Sequence, residues 1–180
     1  MSVLLIDLDD LKAGSFNASG SFRPGSLELV PESAFKFSGQ IKLNVRISST
    51  DKLTYYVSGR LNYQAHGECR RCLREVEEPV ETEFRGIFAY PEALEKLAPS
   101  REEQEAEEIF PLRHNAKNID LTLLVRESLA LGYPLYIECA EDCKGLCPSC
   151  GANLKFENCK CRTQTRDLRW AKLLDLNRDK

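Results

Sequence analysis

Eight cysteines stand in four close pairs: Cys69 and Cys72 in ECRRC, Cys139 and Cys143 in ECAEDC, Cys147 and Cys150 in CPSCG, and Cys159 and Cys161 in NCKC. A structural zinc ion takes a tetrahedron of ligands, with thiolates about 2.3 Å away. A CxxC turn brings two thiolates to one side of an ion, and a second pair closes the site. Cys147, Cys150, Cys159 and Cys161 therefore form a local quartet, although CxC is a less usual closing pair than CxxC. Gly151 suits it, because the chain after the second cysteine often takes a conformation that only glycine adopts easily. Cys69, Cys72, Cys139 and Cys143 make a second set of four, so one Zn2+ or two are expected. Other partitions stay open. Cys139 or Cys143 could replace a member of the local quartet, Cys69 and Cys72 could bind nothing, and His66 could supply a ligand. With sulfur at every position no place is left for a reactive water, so the metal is expected to be structural.

The compartment bears on the same question. The N-terminus, MSVLLIDLDDLKAGS, has no basic leader, its apolar run is short, and acids follow at once. That is neither a signal peptide nor a transit peptide, and no apolar run reaches the length of a membrane span. A soluble, cytoplasmic protein is expected. Reducing cytosol does not favour structural disulfides, so paired cysteines there point to metal or redox work.

Other chemistry has little to draw on. The chain has two histidines, His66 and His114, and no GxGxxG, P-loop, GxSxG or HExxH motif. The remaining enzymatic reading is thiol redox chemistry at Cys69 and Cys72, with Arg70, Arg71 and Arg74 lowering a thiol pKa. Against it, Glu68, Glu75, Glu77 and Glu78 offset the arginines, and no thioredoxin-like βαβ pattern surrounds the motif.

A formal net charge of −3 excludes a chain that is basic throughout, so any anion-binding face must be local. Lys144, Lys155, Lys160, Arg162, Arg166, Arg169 and Lys172 gather around the cysteine cluster. Some of them could balance the negative charge of a four-thiolate zinc site. The functional reading is contact with RNA phosphates, with Trp170 or Phe156 stacking on a base; for Trp170 the plainer reading is a packing anchor.

The elements that must position these groups fall into an α+β arrangement with a hydrophobic content of 42%, enough for one modest core. Residues 1–90 read as an antiparallel β meander or partial barrel. FKFSGQIKLNVRISST (35–50) alternates apolar and polar residues, Thr50, Asp51 and Lys52 mark a turn, and TYYVSGRLNYQAHG (54–67) resumes the alternation with a break at Gly59. Val76, Val80, Phe84 and Phe88 fit further strands, split near Pro79. Residues 91–117 carry Glu102, Glu103, Glu105, Glu107 and Glu108 and read as a solvated, mobile acidic linker. Residues 118–134 read as a helix packing on the sheet, capped by Asn118 or Asp120 and ended by Gly132 and Pro134. Residues 135–180 hold the cysteine-rich zinc module and an amphipathic C-terminal helix, TRDLRWAKLLDLNRDK.

ECRRCLREVEEPV, an acidic variable stretch, and then IDLTLLVRESLALGYPLYIECAEDCKGLCPSCGANLKFENCKC closely resemble the YceD family, the large ribosomal RNA subunit accumulation proteins of bacteria and chloroplasts. The resemblance runs from about residue 35 to the end and is most specific at Cys69–Leu73, at the LALGYP ending of the helix and at EDCKGLCPSCGANL. The closing RDLRWAKLLDL resembles a family ending in which proline stands at the place of Leu168, and asparagine is usual at the place of Lys155; neither change touches a cysteine. The resemblance implies a non-catalytic role in synthesis, processing or stability of large-subunit ribosomal RNA, with that RNA, a pre-ribosomal particle or a basic ribosomal protein as partner. It assigns no role to any residue beyond the cysteines. A protein-interaction module that never touches RNA stands as the alternative, favoured by the acidic segment.

Overall fold

The computed structural model describes residues 4–11, 14–27, 35–49, 51–97, 102 and 108–161. In chain order the elements are β1 (Leu5–Asp7), β2 (Ser15–Phe22), β3 (Phe37–Ser49), β4 (Thr54–Glu68), β5 (Glu75–Ala89), α1 (Pro91–Leu97), β6 (Ile109–Pro111), β7 (Asn118–Asp120) and α2 (Thr122–Gly132), with 3-10 turns at Leu8–Leu11 and Pro24–Ser26. The architecture is α+β. A mixed five-stranded sheet runs β2-β3-β4-β5-β6, and β1 pairs with β7 as a separate ribbon. The first four strands of the large sheet are antiparallel neighbours in chain order, and β6 joins β5 in parallel. The outer strands β2 and β6 do not pair with each other among the described residues.

Period-two alternation builds the core face. On β3, Ile41, Leu43, Val45 and Ile47 are buried while Lys42, Asn44 and Arg46 between them are exposed. Register carries the pattern across the sheet: Ala18 faces Val45, Val45 faces Gly59, and Gly59 faces Phe84. The break at Gly59 has a packing cause. A Cβ there would lie 2.4 Å from Cζ of Phe84, so the ring occupies the space a side chain would fill. The turn into β4 is held by Asp51, whose carboxylate accepts from the backbone N–H groups of Leu53 and Thr54 at 2.9 and 2.7 Å. Thr50, beside that turn, lies outside the described residues.

α2 closes the core face. Leu124, Val125 and Leu129 are buried with the sheet residues and with Leu4, Ile6, Ile119 and Leu121 of the small ribbon and its flanks. Two glycines permit the close approach. A Cβ on Gly86 of β5 would touch Leu124 at 3.1 Å, and one on Gly132 would lie 2.2 Å from Oγ1 of Thr82. Gly132 therefore ends the helix against the sheet. Next, Tyr133 donates its hydroxyl to the carbonyl of Lys36 at 2.7 Å and stacks on Tyr63, which directs the following chain toward the end of β4.

Three expectations are corrected. β5 is one continuous strand through Pro79 rather than two. β6 reaches only Ile87–Ala89, so among the described residues β5 is an open edge at Pro79, where a missing N–H is tolerated. Asn118–Asp120 is strand, not helix; α2 starts at Thr122, whose N–H is accepted by Asp120 Oδ1 at 2.9 Å. The stretch 91–117 is not wholly a solvated linker. Ala93 and Leu94 of α1, Ile109 of β6 and Leu112 are buried, because the apolar residues flanking the acidic run dock on the sheet's end. Glu102 and Glu108 are exposed, whereas Glu103, Glu105 and Glu107 lie outside the described residues, as does the expected C-terminal helix.

Candidate functional site

The CRRC segment forms the connection from β4 to β5. Cys69 donates its N–H to the carbonyl of Arg74 at 2.8 Å, and Leu73 donates to the carbonyl of Cys69 at 2.9 Å. The CPSC segment repeats this wiring: Cys147 donates to Ala152 at 2.8 Å, and Gly151 to Cys147 at 2.8 Å. In both, the residue after the second cysteine lies in the left-handed region, Leu73 at φ 58° and Gly151 at φ 74°. These are the same turn, once with glycine and once without. Each tightens the backbone so that two sulfurs face one point.

The tertiary fold delivers the partners. After Tyr133 the chain runs alongside the CRRC turn, with Cys69 and Ile137 forming a parallel bridge and the N–H of Arg70 donating to the carbonyl of Ile137 at 3.0 Å. This brings Cys139 and Cys143 onto Cys69 and Cys72. The Sγ–Sγ separations are 3.9 Å for Cys69 and Cys143 and 3.7 Å for Cys72 and Cys139. Four sulfurs about 2.3 Å from a central ion lie about 3.8 Å apart, whereas a disulfide brings them to about 2.05 Å. All eight cysteines are free thiols. Cys147, Cys150, Cys159 and Cys161 form the other cluster, with separations of 3.3 Å (Cys147 and Cys159) and 3.6 Å (Cys150 and Cys159). In each tetrad all four sulfurs lie within 4.8 Å of one another, so each can hold a metal ion.

The two tetrads differ in setting. Cys69, Cys72 and Cys143 are buried, whereas Cys150 and Cys161 are exposed. Burial opposes ionisation of Cys69, but backbone N–H groups of Cys139, Arg71 and Cys72 directed at its sulfur outweigh this and bring the thiol down to about 6. The N–H groups of Cys150 and Ser149 bring Cys147 to about 6 in the same way. Their neighbours move the other way. Cys139 is raised to about 12, first by its contact with Cys143, and Cys161 to about 12, first by its contact with Cys150. Each cluster thus stabilises one thiolate readily and resists the next, which is how crowded thiols behave until a cation shares their charge.

Arginines that could have served redox chemistry have a structural task. Arg70 and Arg71 both reach the carboxylate of Glu138, and Arg71 also donates to the carbonyl of Cys143 at 3.1 Å. They tie the CRRC turn to the segment carrying the second cysteine pair. Residue-by-residue reading missed Glu138. The available signal was the complementary charge of ECRRC and IECAEDC. Gly145 was missed too: at φ 74° it passes so close to the CRRC turn that a Cβ would lie 2.9 Å from the carbonyl oxygen of Arg71.

Among the other candidates, His66 and His114 join neither tetrad. His114 Nδ1 lies 3.1 Å from Glu92 Oε1. Lys144, Lys155 and Lys160 are exposed beside the cysteines, with Lys155 Nζ 4.0 Å from Asp142. Phe156 is exposed, with the Arg74 guanidinium 5.0 Å above its ring. Arg162, Arg166, Arg169, Trp170 and Lys172 lie outside the described residues. No helix among the described residues is long and apolar enough to cross a membrane.

Uncharacterized proteins of Mycobacterium bovis and Mycobacterium tuberculosis are 32% identical over 136 residues, covering 76% of this chain and 61% of their own. One of Mycobacterium leprae is 29% identical over 150 residues, covering 83% of this chain and 64% of its own. The chain thus spans less than two thirds of the length of these curated relatives. No solved structure matches it. The model of the family described as Large ribosomal RNA subunit accumulation protein YceD matches residues 57–177, a span that contains all eight cysteines. The chain belongs to the YceD family.

Proposed function

We propose that this chain is a non-catalytic, cytoplasmic factor supporting synthesis, processing or stability of large-subunit ribosomal RNA, and that each tetrad holds one zinc ion. The family description supports the RNA role. The observation that carries the zinc reading is the division of all eight cysteines into two four-sulfur clusters. The donor set fits zinc: four soft thiolates, near-tetrahedral spacing and backbone N–H groups aimed at Cys69 and Cys147. Zinc bound there supplies a closed crosslink with no open position for water. The first tetrad joins the β4–β5 turn to the segment after α2, and the second closes the CPSC turn on Cys159 and Cys161. Lys144, Lys155 and Lys160, with Arg162, Arg166 and Arg169, are the phosphate contacts of this module.

Thiol redox chemistry at Cys69 and Cys72 fits less well. Cys69 has no exposed surface and Cys72 has 6%, so an incoming disulfide cannot reach the lowered thiol. The test of function is sedimentation. The tagged protein in its own cells is expected to travel with pre-large-subunit particles, and its deletion to alter large-subunit RNA precursors. Sedimentation only as free protein, with precursor processing unchanged in the deletion strain, rejects the proposal.

A further inference from the structure

The solvent face of the large sheet carries a second set of groups suited to nucleic acid. Arg46 of β3 pairs with Ser58 of β4, and Ser58 pairs with Arg85 of β5, so one row across the sheet places two arginines either side of a serine. Neighbouring strands are about 4.8 Å apart, which spaces the two arginine backbones by about twice that. Both side chains are exposed, and neither has an ion-pair partner among the described residues. The next row differs: Arg60 is held by Glu83 at 3.0 Å and Glu81 at 3.7 Å. Among the described residues Arg46 and Arg85 thus keep guanidinium groups without a carboxylate partner, as Lys42 on the same side of β3 keeps its ammonium. Tyr56, two residues from Ser58 on the same side of β4, is 45% exposed.

The surface is hollowed here rather than flat. Two adjoining hollows, each about 710 Å³, share Arg46, Ser58 and Arg85; Tyr56 lines one and Asn44 the other. We infer that this face binds a single-stranded segment of RNA, with Arg46 and Arg85 on successive phosphates and Tyr56 stacking on a base. Charge complementarity selects the occupant. Glu83, which lines one hollow, is taken up by Arg60, and Glu108 lines the other. Arg46 and Arg85, without an ion pair among the described residues, stand beside an aromatic and short amide and hydroxyl side chains, a combination that meets phosphates and unstacked bases. A duplex hides its bases and cannot present one to Tyr56. The inference rests on the RNA role proposed above and adds a contact surface away from the cysteine module.

The test uses the full, metal-loaded chain and a short unstructured single-stranded RNA, with the same sequence as a duplex for comparison. Affinity is measured across a salt series for the parent, for Arg46→Gln with Arg85→Gln, for Tyr56→Ala and Tyr56→Phe, and for Lys144→Gln with Lys155→Gln and Lys160→Gln. Each phosphate contact to a single strand contributes about 0.7 to the slope of log affinity on log salt. The double arginine variant is expected to lower that slope by about 1.4. Tyr56→Ala is expected to weaken binding about 5- to 150-fold, with Tyr56→Phe restoring most of it. Parent-like affinity and slope in the arginine variant, with metal content and melting unchanged, overturn the inference. If only the lysine variant then loses RNA, the RNA role stands and the surface is the cysteine module alone. A parent chain that binds no RNA also overturns the inference, while the sedimentation experiment decides the assembly role independently.

Discussion

Leu73 and Gly151 fill equivalent places in two turns with the same hydrogen bonds, and both are left-handed. A residue with a Cβ costs about 1–2 kcal/mol in that conformation, partly offset by the entropy glycine loses on folding. Leu73→Gly is therefore expected to keep the metal and to leave stability unchanged or raise it by up to about 1 kcal/mol. Gly151→Leu should lower stability by about 1–2 kcal/mol. Chemical denaturation of the metal-loaded proteins measures both, and a marked loss in Leu73→Gly would mean that the leucine side chain itself is needed. The ligands follow the same division. Cys72→Ser should remove one metal equivalent and spare the second, and Cys150→Ser should do the reverse. Metal analysis of the purified variants checks this; loss of all metal from either variant contradicts two separate sites.

At the scale of elements, α2 is held by how closely it can approach β5. Gly132→Ala puts a Cβ 2.2 Å from Thr82 Oγ1 and 2.9 Å from Thr82 Cβ, so the helix end must lift away. The expected cost is about 1–3 kcal/mol. Gly86→Ala meets flexible ends of Leu124 and Phe110 at 3.1 Å and should cost less. Adding Thr82→Ala to Gly132→Ala should recover part of the loss, since the two nearest atoms are then gone. Additive losses in the double variant would show that Thr82 is not the obstacle. Much of this scale was legible in the chain. Alternation over 35–50 and 54–67 marks β3 and β4, because a half-buried strand must alternate. What misled was Pro79, which reads as a breaker yet sits on an edge left open among the described residues, and the acidic run, whose charge masks the apolar anchors Ala93, Leu94 and Ile109 on either side.

Across the whole molecule, the first tetrad joins parts of the chain separated by β5, α1, β6, β7 and α2. Removing metal with a chelator should release the segment after Tyr133 while the meander keeps its own ladder. Hydrogen exchange is expected to quicken at Arg70 and Leu73, whose amides bond Ile137 and Cys69, and to stay slow at Ile41, Leu43 and Leu61 in the core. Uniform loss of protection would make the metal a condition of the entire fold. Such local release is expected because the core cluster of Ile41, Leu61, Val125 and Leu129 contains no cysteine.

The sequence by itself determined the turns, the alternating strands and the pairing of cysteines within each short motif, because these depend on neighbours a few residues apart. Spacing and number offered two quartets for the eight thiols and left other partitions open. Only the tertiary structure decided that the pair after β4 meets the pair after α2. That meeting depends on Gly132 lying against Thr82, on Tyr133 bonding Lys36, and on Arg70 and Arg71 reaching Glu138. Each of these is a contact between residues distant in the chain. Their cost in chain entropy is repaid by the buried core as a whole, and no local pattern records it.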